Sequence, residues 1–557
     1  MSDATTAELI QGIVAAAVLR AADELGWDEV ARAVAVEVEH PQDAAHGDYA
    51  TNIAMRLTKP LRKPPLEIAR AIRERVPLGD PVASVEVAKP GFVNLRLAEG
   101  WLANQVDVIV HAGERFGRND HLAGEKIQVE FISANPTGPM TVANARGGPL
   151  GDVLANVLAF QGADVAREYY VNDASNQVEL FKLSLAVRYR ELGGATGLEI
   201  PKDGYAADYV IDLARQLRAE DGGRHDGLSL GDLAQELGTR ALRSIMDGHR
   251  RTSERFGMRF DHWYWESKLK ESGYYAETLA ALREAGAVEE RDGAIWLRSK
   301  ELGEDIESVI VRSNGIPTYL GVDIAYHREA FEKRGFDRKL DISGANTHGH
   351  MRRMRTAMAA LGHAERWEVV IYQYVKFLHE GVLLKMGKRL NQFLLLDEVL
   401  DAVGVDVARW FFLQSSADRT LDFDFELAVQ QSNENPAYYV QYAHARIASI
   451  RRAAAEKGLV SEGADTALLR DKGELDLVRA CLRFPELVAE IARTKGAHRL
   501  TGYALELAGL FHSFYREHKV VGDDAERSRA RLRLVEAVQV TLRQTLSLLG
   551  VNAPESM

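Results

Sequence analysis

The 557-residue sequence lacks features that would place it in several common classes of protein. It contains one cysteine, Cys481, so an intrachain disulfide framework is excluded and a reducing compartment is expected. Residues Met1–Ala4 place no basic region before an apolar stretch, and Arg20 ends the short apolar run Ile13–Leu19. Neither a secretory signal nor a membrane-spanning helix is therefore expected. These absences predict a soluble, cytoplasmic chain that does not associate with membranes.

The chain also lacks an excess of basic residues. It has 69 lysines and arginines against 81 aspartates and glutamates, which gives a formal net charge of −12. A protein that coats nucleic acid without specificity would be basic, so the composition argues against that class. A specific RNA partner that binds local basic patches stays compatible with this charge.

Length and residue pattern predict an α/β protein with about three or four domains. Residues 1–115 mix helical and strand patterns, which predicts a small N-terminal α+β domain. Residues 116–404 alternate strand-like and helical segments, as a Rossmann-like parallel sheet does, with a mostly helical insertion at about 175–300. Residues 405–557 are helical almost to the end and predict an all-α helical bundle.

Short apolar runs mark the expected strands. Val34–Val38 alternates apolar and polar residues, as a strand with one buried face does. The strand candidates of the central domain are Ile127–Ile132, Ser308–Val311, Leu340–Ile342 and Glu368–Tyr374. Ligands of parallel sheets bind beyond the carboxyl ends of the strands, so functional residues are expected directly after these runs.

Two segments have compositions suited to binding phosphate. In the sequence KMGKR, Lys385 and Lys388 flank Gly387, so a bend can bring both ammonium groups onto one anion. A basic pentapeptide is also typical of a solvated turn. The segment Ser133–Gly148 follows a strand and leads through small residues into a helix (Leu150–Phe160), whose first N–H groups can bind phosphate. It is neither a GxGxxG nor a Walker loop, and an ordinary strand-to-helix turn stays an alternative.

Motifs along the chain resemble those of the arginyl-tRNA synthetases, a family of class I aminoacyl-tRNA synthetases. VEFISANPTGPMTVANARGG, followed by REYYVNDASNQ, resembles the first signature, and KMGKR resembles the second. TYLGVDIAYH, GANTHGH and NPAYYVQYAHARI follow the family's order, and the resemblance covers essentially the whole chain. It implies ligation of L-arginine to tRNA-Arg through an arginyl-adenylate. ATP with Mg2+ would be the co-substrate, without a prosthetic group.

The resemblance also implies roles for individual residues. The implied catalytic residues are Lys385, Lys388, Thr141 and Asn144. The implied arginine pocket contains Glu130, Asn135, Tyr319 and Asp323, and its two carboxylates suit a guanidinium group. The implied ATP-binding residues are Pro136, Gly138, Ala143, Gly344, Asn346 and Met386. The implied tRNA-binding residues are Tyr438, Tyr442 and Arg446, although the helical spacing of the two tyrosines is also typical of a core.

The signatures depart from the family's usual pattern. Thr141–Asn144 reads TVAN where the class usually has His-x-Gly-His, and neither Thr nor Asn can carry a proton charge as His does. Asn346 stands where a carboxylate is more common, and Gly387 where serine is usual. A catalytically weakened paralogue that binds tRNA or arginine is therefore the alternative function.

Other expectations concern specificity and partners. A class I synthetase for another amino acid is disfavoured, because Glu130 and Asp323 together suit a cationic side chain. His348 and His350 lie two residues apart with no cysteine nearby, so no metal site is expected. The resemblance implies a C-terminal domain that binds the anticodon and an N-terminal domain at the tRNA elbow. The chain is expected to be a monomer.

Overall fold

The computed structural model describes residues 5–27, 29–298, 307–383 and 394–557. Its N-terminal region begins with a helix that a capping box between Thr5 and Glu8 initiates. Three antiparallel strands in the order β1–β3–β2 follow within this region. The elements are α1 (Thr6–Leu25), α2 (Glu29–Ala33), β1 (Tyr49–Thr51), α3 (Ile53–Leu61), α4 (Pro65–Arg73), β2 (Val82–Ala88), β3 (Phe92–Leu97) and α5 (Glu99–Ala112).

The prediction of a strand at Val34–Val38 in this region is wrong. Val34–Val38 forms no strand, and the adjacent backbone pairs only through an isolated bridge between Glu39 and Ala50. Strand β1 pairs with β3 along its three residues, and among the described residues the Glu39 bridge is the one pairing on its other edge.

The rest of the chain contains the remaining strands and most of the helices. Its strands are β4 (Lys126–Glu130), β5 (Asp164–Val171), β6 (His262–Trp265), β7 (Val288–Arg291), β8 (Ala294–Leu297), β9 (Ser308–Val311), β10 (Arg338–Gly344), β11 (Trp367–Tyr372), β12 (Val375–His379), β13 (Val382–Leu383) and β14 (Leu421–Asp424). Its helices up to the end of the sheet region are α6 (Val142–Ala145), α7 (Gly147–Phe160), α8 (Asn176–Leu192), α9 (Asp208–Asp221), α10 (Leu230–Arg255), α11 (Glu266–Glu271), α12 (Tyr274–Glu284), α13 (Tyr319–Glu332) and α14 (His348–Ala360). The helices after it are α15 (Leu396–Val403), α16 (Val405–Leu413), α17 (Phe425–Ala428), α18 (Pro436–Glu456), α19 (Lys472–Thr494), α20 (Arg499–Glu517) and α21 (Ala525–Leu549).

A five-stranded parallel sheet in the order β11–β10–β4–β5–β6 forms the centre of the molecule. This confirms the expected Rossmann-like sheet, with β4, β10 and β11 at the predicted apolar runs. Ser308–Val311 forms a strand as expected, but β9 belongs to a separate antiparallel sheet with β7 and β8. The strand order places β4 between β10 and β5, so the carboxyl ends of these strands lie side by side.

Between β5 and β6 the chain forms the helices α8, α9 and α10, which share their own apolar core. Phe181, Leu185, Leu217 and Leu237 are among the buried side chains of this core. The expected insertion at about 175–300 therefore contains a helical unit, but it also includes β6, which returns to the parallel sheet.

The C-terminal region is helical as expected, except that β14 lies within it and pairs with β12. Asn435 begins α18, because its side chain accepts hydrogen bonds from the Ala437 and Tyr438 N–H groups and Pro436 follows it. Cys481, Phe484 and Leu542 are buried where α18–α21 pack together. Among the helices within residues 5–27, 29–298, 307–383 and 394–557, none is long and apolar enough to cross a membrane.

A buried arginine joins the C-terminal helices to the sheet region. Arg409 on α16 has no exposed side-chain surface, and its Nη2 lies 2.6 Å from Asp152 Oδ2 on α7. Its Nε donates to the Leu549 carbonyl at 2.9 Å, and its Nη1 donates to the Phe256 carbonyl at 3.0 Å. One guanidinium therefore links α16, α7, the end of α10 and the end of α21.

Replacing Arg409 by leucine should destabilise the whole chain. Among the described residues, Asp152 would keep Arg167 Nε at 3.7 Å and Asn156 Nδ2 at 3.5 Å, and two buried carbonyls would lose their donor. Removing one partner of a buried ion pair costs about 3–5 kcal/mol. Urea denaturation followed by tryptophan fluorescence measures the change. Arg483→Leu is the control, because Arg483 and Glu506 form an exposed pair; equal loss in both variants would contradict the expectation.

Candidate active site

A large cavity lies at the carboxyl ends of the parallel strands. Its volume is about 1880 Å³, above the range of about 300–1000 Å³ that is usual for a single small ligand. Ten of the sequence-predicted site residues line it: Glu130, Asn135, Gly138, Thr141, Ala143, Asn144, Tyr319, Asp323, Gly344 and Asn346. The structure therefore brings together residues that lie more than 200 positions apart in the sequence.

The other predicted residues of the catalytic and ATP-binding sets are not among those that line the cavity in the described part of the chain. Pro136 is buried beside the cavity and is not among the residues that line it. Lys385, Met386 and Lys388 lie outside the described residues. The chain next to these residues in the sequence does reach the cavity. Val375 and Phe377 of β12, which precede Lys385, line it, and so does Leu395, which follows Lys388.

The turn after β4 is hydrogen-bonded to a buried tyrosine–histidine pair. Tyr169 OH lies 2.8 Å from His249 Nδ1 and accepts a hydrogen bond from the Ala134 N–H at 3.0 Å. His249 Nε2 lies 2.8 Å from the Gly138 carbonyl, which can only accept, so Nε2 carries the hydrogen. Burial lowers the pKa of His249, so the neutral ring is favoured.

Two tyrosines of the helical insertion contact the same turn. Tyr209 OH donates to the Thr137 carbonyl at 2.5 Å, and Tyr205 OH donates to Thr137 Oγ1 at 3.1 Å. Gly138 packs against Tyr209, whose ring atoms would lie 3.1 Å from an added Cβ. The insertion and the sheet thus enclose the turn between them.

The glycines after the turn serve helix packing. Helix α7 begins at Gly147, three residues before the expected start. A Cβ on Gly151 would lie 2.4 Å from the Phe131 side chain, and one on Gly148 would lie 2.6 Å from Met258 Sδ. These glycines are buried, so they permit close approach of α7 to its neighbours and do not face a phosphate.

The first signature is hydrogen-bonded to the chain that follows the KMGKR segment. Val142 N–H donates to the Leu394 carbonyl, and Leu396 N–H donates to the Met140 carbonyl, each at 3.1 Å. Within the signature, Thr141 Oγ1 donates to Asn144 Oδ1 at 3.4 Å, so both polar groups face each other at the cavity.

Arg146 forms the second connection. It is 1% exposed, and its Nη1 donates to the carbonyls of Gln373 and Arg419, at 2.8 and 2.6 Å. Its Nη2 donates to the Ser416 carbonyl at 2.7 Å. Burial lowers the pKa of Arg146 to about 10. Gln373 directly precedes Tyr374 and β12, so Arg146 fixes the strand that leads to the KMGKR segment.

The predicted guanidinium side of the pocket contains a histidine as well. His350 Nε2 lies 2.6 Å from Asp323 Oδ2, and its ring centroid lies 4.8 Å from that of Tyr319. The Asp323 charge, followed by burial, raises the pKa of Tyr319, so the phenol stays protonated. Sequence analysis considered His350 only for a metal site, and the structure pairs it with Asp323.

Glu130 has partners that sequence analysis missed. Its carboxylate accepts from Lys339 Nζ at 2.7 Å and from Ser133 Oγ at 2.9 Å, and Tyr326 OH lies 2.9 Å from its Oε2. Lys339 has no exposed side-chain surface. A charged residue within the apolar strand Lys339–Ile342 was the available sequence signal. Glu266 was also missed; it is 4% exposed, accepts from Tyr170 OH and raises the pKa of Tyr319.

The predicted ribose-binding segment follows β10. Gly344 ends this strand, and a Cβ added to it would lie 2.8 Å from Asn346 Oδ1. The glycine therefore leaves room for the Asn346 side chain in its observed position. Thr347 Oγ1 donates to the Gly344 carbonyl at 2.7 Å and closes the turn. Within the part of the chain that the structure describes, no group of three His, Cys, Asp or Glu residues is placed to hold a metal ion.

The predicted tRNA-binding residues form a partly exposed stack on α18. The rings of Tyr438 and Tyr442 are stacked with centroids 6.3 Å apart, and both residues are half-buried. The Arg446 guanidinium lies 5.0 Å from the Tyr442 ring centroid and 5.6 Å from that of Tyr515 on α20. His512 also stacks on Tyr442. Tyr438 and Tyr442 have the helical spacing that is typical of core residues, but part of each side chain stays accessible to solvent.

Three family models match the chain. They are described as "Arginyl tRNA synthetase N terminal domain" at residues 8–97, "tRNA synthetases class I (R), catalytic domain" at 105–403 and "DALR anticodon binding domain" at 440–557. The catalytic match spans more than half of the chain and places it, with its parallel sheet and its signature turn, among the class I aminoacyl-tRNA synthetases.

Curated relatives narrow the class to one family. The chain is 44% identical over 552 residues to the arginine–tRNA ligase of Carboxydothermus hydrogenoformans, which covers 98% of this chain and 99% of that protein. It is also 44% identical over 527 residues to the ligase of Geobacillus thermodenitrificans, covering 94% of each. The chain belongs to the arginyl-tRNA synthetases.

Solved structures of the family share the fold. The Thermus thermophilus arginyl-tRNA synthetase superposes with a TM-score of 0.77 at 23% identity, over 99% of this chain and 100% of that chain. The Plasmodium falciparum arginyl-tRNA synthetase gives a TM-score of 0.77 at 15% identity, over 99% of each chain. The architecture is therefore maintained at low sequence identity.

The buried His249 should make stability depend on pH. Its pKa is lowered from 6.5 in the folded state, so acidification protonates the unfolded chain first and stability falls as pH drops below about 6.5. His249→Gln, which cannot titrate, should lose less stability between about pH 7.5 and 5.5. Melting temperatures of both proteins across this range, with the exposed His46→Gln as control, measure the difference. Parallel profiles for wild type and His249→Gln would contradict this expectation.

Proposed function

We propose that this chain ligates L-arginine to tRNA-Arg through an arginyl-adenylate formed from ATP. The observation that carries the proposal is the cavity itself. Carboxylates suited to a cationic substrate, Glu130 and Asp323, open into the same space as the signature turn Thr141–Asn144. Its volume of about 1880 Å³ has room for an amino acid, a nucleotide and the end of a tRNA together.

In the first step, the arginine carboxylate attacks the ATP α-phosphorus and pyrophosphate leaves with the bond's electron pair. We assign stabilisation of that departing charge to Lys385 and Lys388, and phosphate contacts to Thr141 and Asn144. Positioning supplies the rest, because no protein nucleophile is needed. ATP would be held by Pro136, Gly138, Ala143, Gly344, Asn346 and Met386, and Mg2+ would enter with its phosphates.

Arginine would lie between two acidic ends of the cavity. Asp323 and Tyr319 meet the guanidinium group, whose planar donors suit a carboxylate, and Glu130 and Asn135 hold the α-ammonium end. His350 Nε2 lies 2.6 Å from Asp323 Oδ2, so arginine must share the Asp323 carboxylate with the imidazole or displace the imidazole.

In the second step, the 2′-hydroxyl of the terminal tRNA ribose attacks the adenylate carbonyl and AMP leaves. The exposed faces of Tyr438 and Tyr442, with Arg446 beside them, would stack on anticodon bases. We assign the anticodon to residues 405–557, catalysis to 116–404 with the insertion at about 175–300, and the tRNA elbow to 1–115. The enzyme would act as a cytoplasmic monomer.

Charging of tRNA-Arg with radiolabelled arginine and ATP tests this function. Lys385→Ala and Lys388→Ala should each reduce kcat by about 10²–10³-fold, because each removes a cation from the transition state. Lys333→Ala is the control, since Lys333 is 53% exposed in a surface pair with Glu277. If the wild-type protein binds tRNA-Arg without charging it, the chain is a binding protein on a synthetase fold.

The role of Asp323 can be tested through arginine affinity. Asp323→Asn keeps the shape of the side chain but removes its charge, so the KM for arginine should rise at least about 30-fold, equivalent to ~2 kcal/mol. The KM for ATP should change little. Asp401→Asn, at a site 71% exposed, is the matched control. An unchanged arginine KM in Asp323→Asn would remove Asp323 from the pocket.

A further inference from the structure

Three carboxylates stand side by side at the centre of the sheet. Asp341 on β10 is the register partner of Glu130 on β4, and Glu130 is the register partner of Glu168 on β5. Neighbouring strands are about 4.8 Å apart, and side chains at partner positions point to the same face. Like charges at this spacing are destabilising unless nearby cations compensate them.

Two cations lie beside these carboxylates, and one of them, Lys339, is fully buried. Lys339 Nζ is 2.7 Å from Glu130 Oε2 and 2.6 Å from Asp341 Oδ1, and its side chain has no exposed surface. Arg334 pairs with Glu168 at the other end of the row. Within the described part of the chain, Lys339 is the one cation that forms an ion pair with Glu130.

The remaining neighbours of Glu130 do not replace that charge. Tyr326 on α13 has one hydroxyl hydrogen, and its oxygen lies near both Glu130 and Glu168. His327 on the same helix faces Asp341, with Nε2 2.7 Å from Oδ2. Asp323, the other α13 carboxylate at this cavity, pairs with His350. Glu130 therefore depends on Lys339 and on the neutral donor Ser133.

The pKa directions agree with this geometry. Burial raises the pKa of Glu130, and the Lys339 charge opposes that rise. Burial lowers the pKa of Lys339, but Asp341 and Glu130 outweigh burial and raise it overall. Lys339 therefore stays charged near neutral pH.

We propose that Lys339 is a positioning residue for the amino-acid substrate: it keeps the Glu130 carboxylate ionised and oriented toward the cavity, ready for the α-ammonium group of arginine. This inference rests on the proposed function. Lys339 itself does not line the cavity, so it acts through Glu130. Binding to an already ionised carboxylate needs no proton transfer, which keeps arginine affinity independent of pH near neutrality.

Lys339→Met tests the proposal through the pH dependence of the arginine KM. Without Lys339, burial and the Asp341 charge raise the pKa of Glu130, so more of the carboxyl is protonated at lower pH. The arginine KM should rise about tenfold or more at pH 6.5 and approach the wild-type value as pH increases to 8.5, with kcat within about threefold. The wild-type KM should be flat over the same range.

Two matched variants separate positioning from stability. Arg334→Met removes a cation from the same buried network at the Glu168 end, so it should lower the melting temperature without the pH-dependent KM. Lys339→Arg keeps the charge and should keep a flat profile. Calorimetric titration with arginine in buffers of different ionisation enthalpy should show proton release on binding to Lys339→Met and none for wild type.

The outcomes are distinguishable. A KM raised equally at every pH, or an unchanged KM without proton release, would overturn the role of Lys339. If Lys339→Met does not fold, Lys339→Gln carries the same prediction, because it also removes the charge. Failure of the wild-type protein to charge tRNA-Arg would instead overturn the proposed function, and both proposals with it.

Discussion

The site depends on a constraint of the parallel sheet: side chains at partner positions of neighbouring strands point to the same face. In this chain Asp341, Glu130 and Glu168 occupy such positions on β10, β4 and β5, so negative charge is concentrated beside the cavity. The charge suits a cationic substrate, and it must be balanced in the folded protein before any substrate arrives. Lys339 and Arg334 supply that balance from within the sheet and from the end of α13.

The rest of the active site is fixed by contacts between distant segments. Tyr169 on β5 binds the signature turn from the sheet, and His249 on α10 and Tyr209 on α9 bind it from the insertion. Arg146 then fixes the strand that leads toward Lys385. A signature without histidines thus lies in a turn whose backbone is bound on several sides, which favours a site that works through positioning.

Sequence analysis found many of the residues that line the cavity and missed many of those that support them. Glu130, Asn135 and Asp323 could be identified because they lie in recognisable motifs or after apolar strands. Lys339 and His249 could not, because their partners are 209 and 111 residues away and only the fold brings them together. Val34–Val38 shows the opposite error: its alternation is that of a strand, but alternation alone does not supply a paired neighbour, and in this described stretch only the adjacent Glu39 forms an isolated bridge.

Arg409 also bears on how the protein is synthesised. Its guanidinium needs the Leu549 carbonyl at the end of α21, whereas Asp152 and Phe256, its other partners, precede it in the chain. Domains form in order as the ribosome releases them. Until residue 549 has emerged, the buried Arg409 guanidinium therefore lacks one of its hydrogen-bond acceptors. Completion of the catalytic half is thus coupled in time to the arrival of the helices that would bind the anticodon.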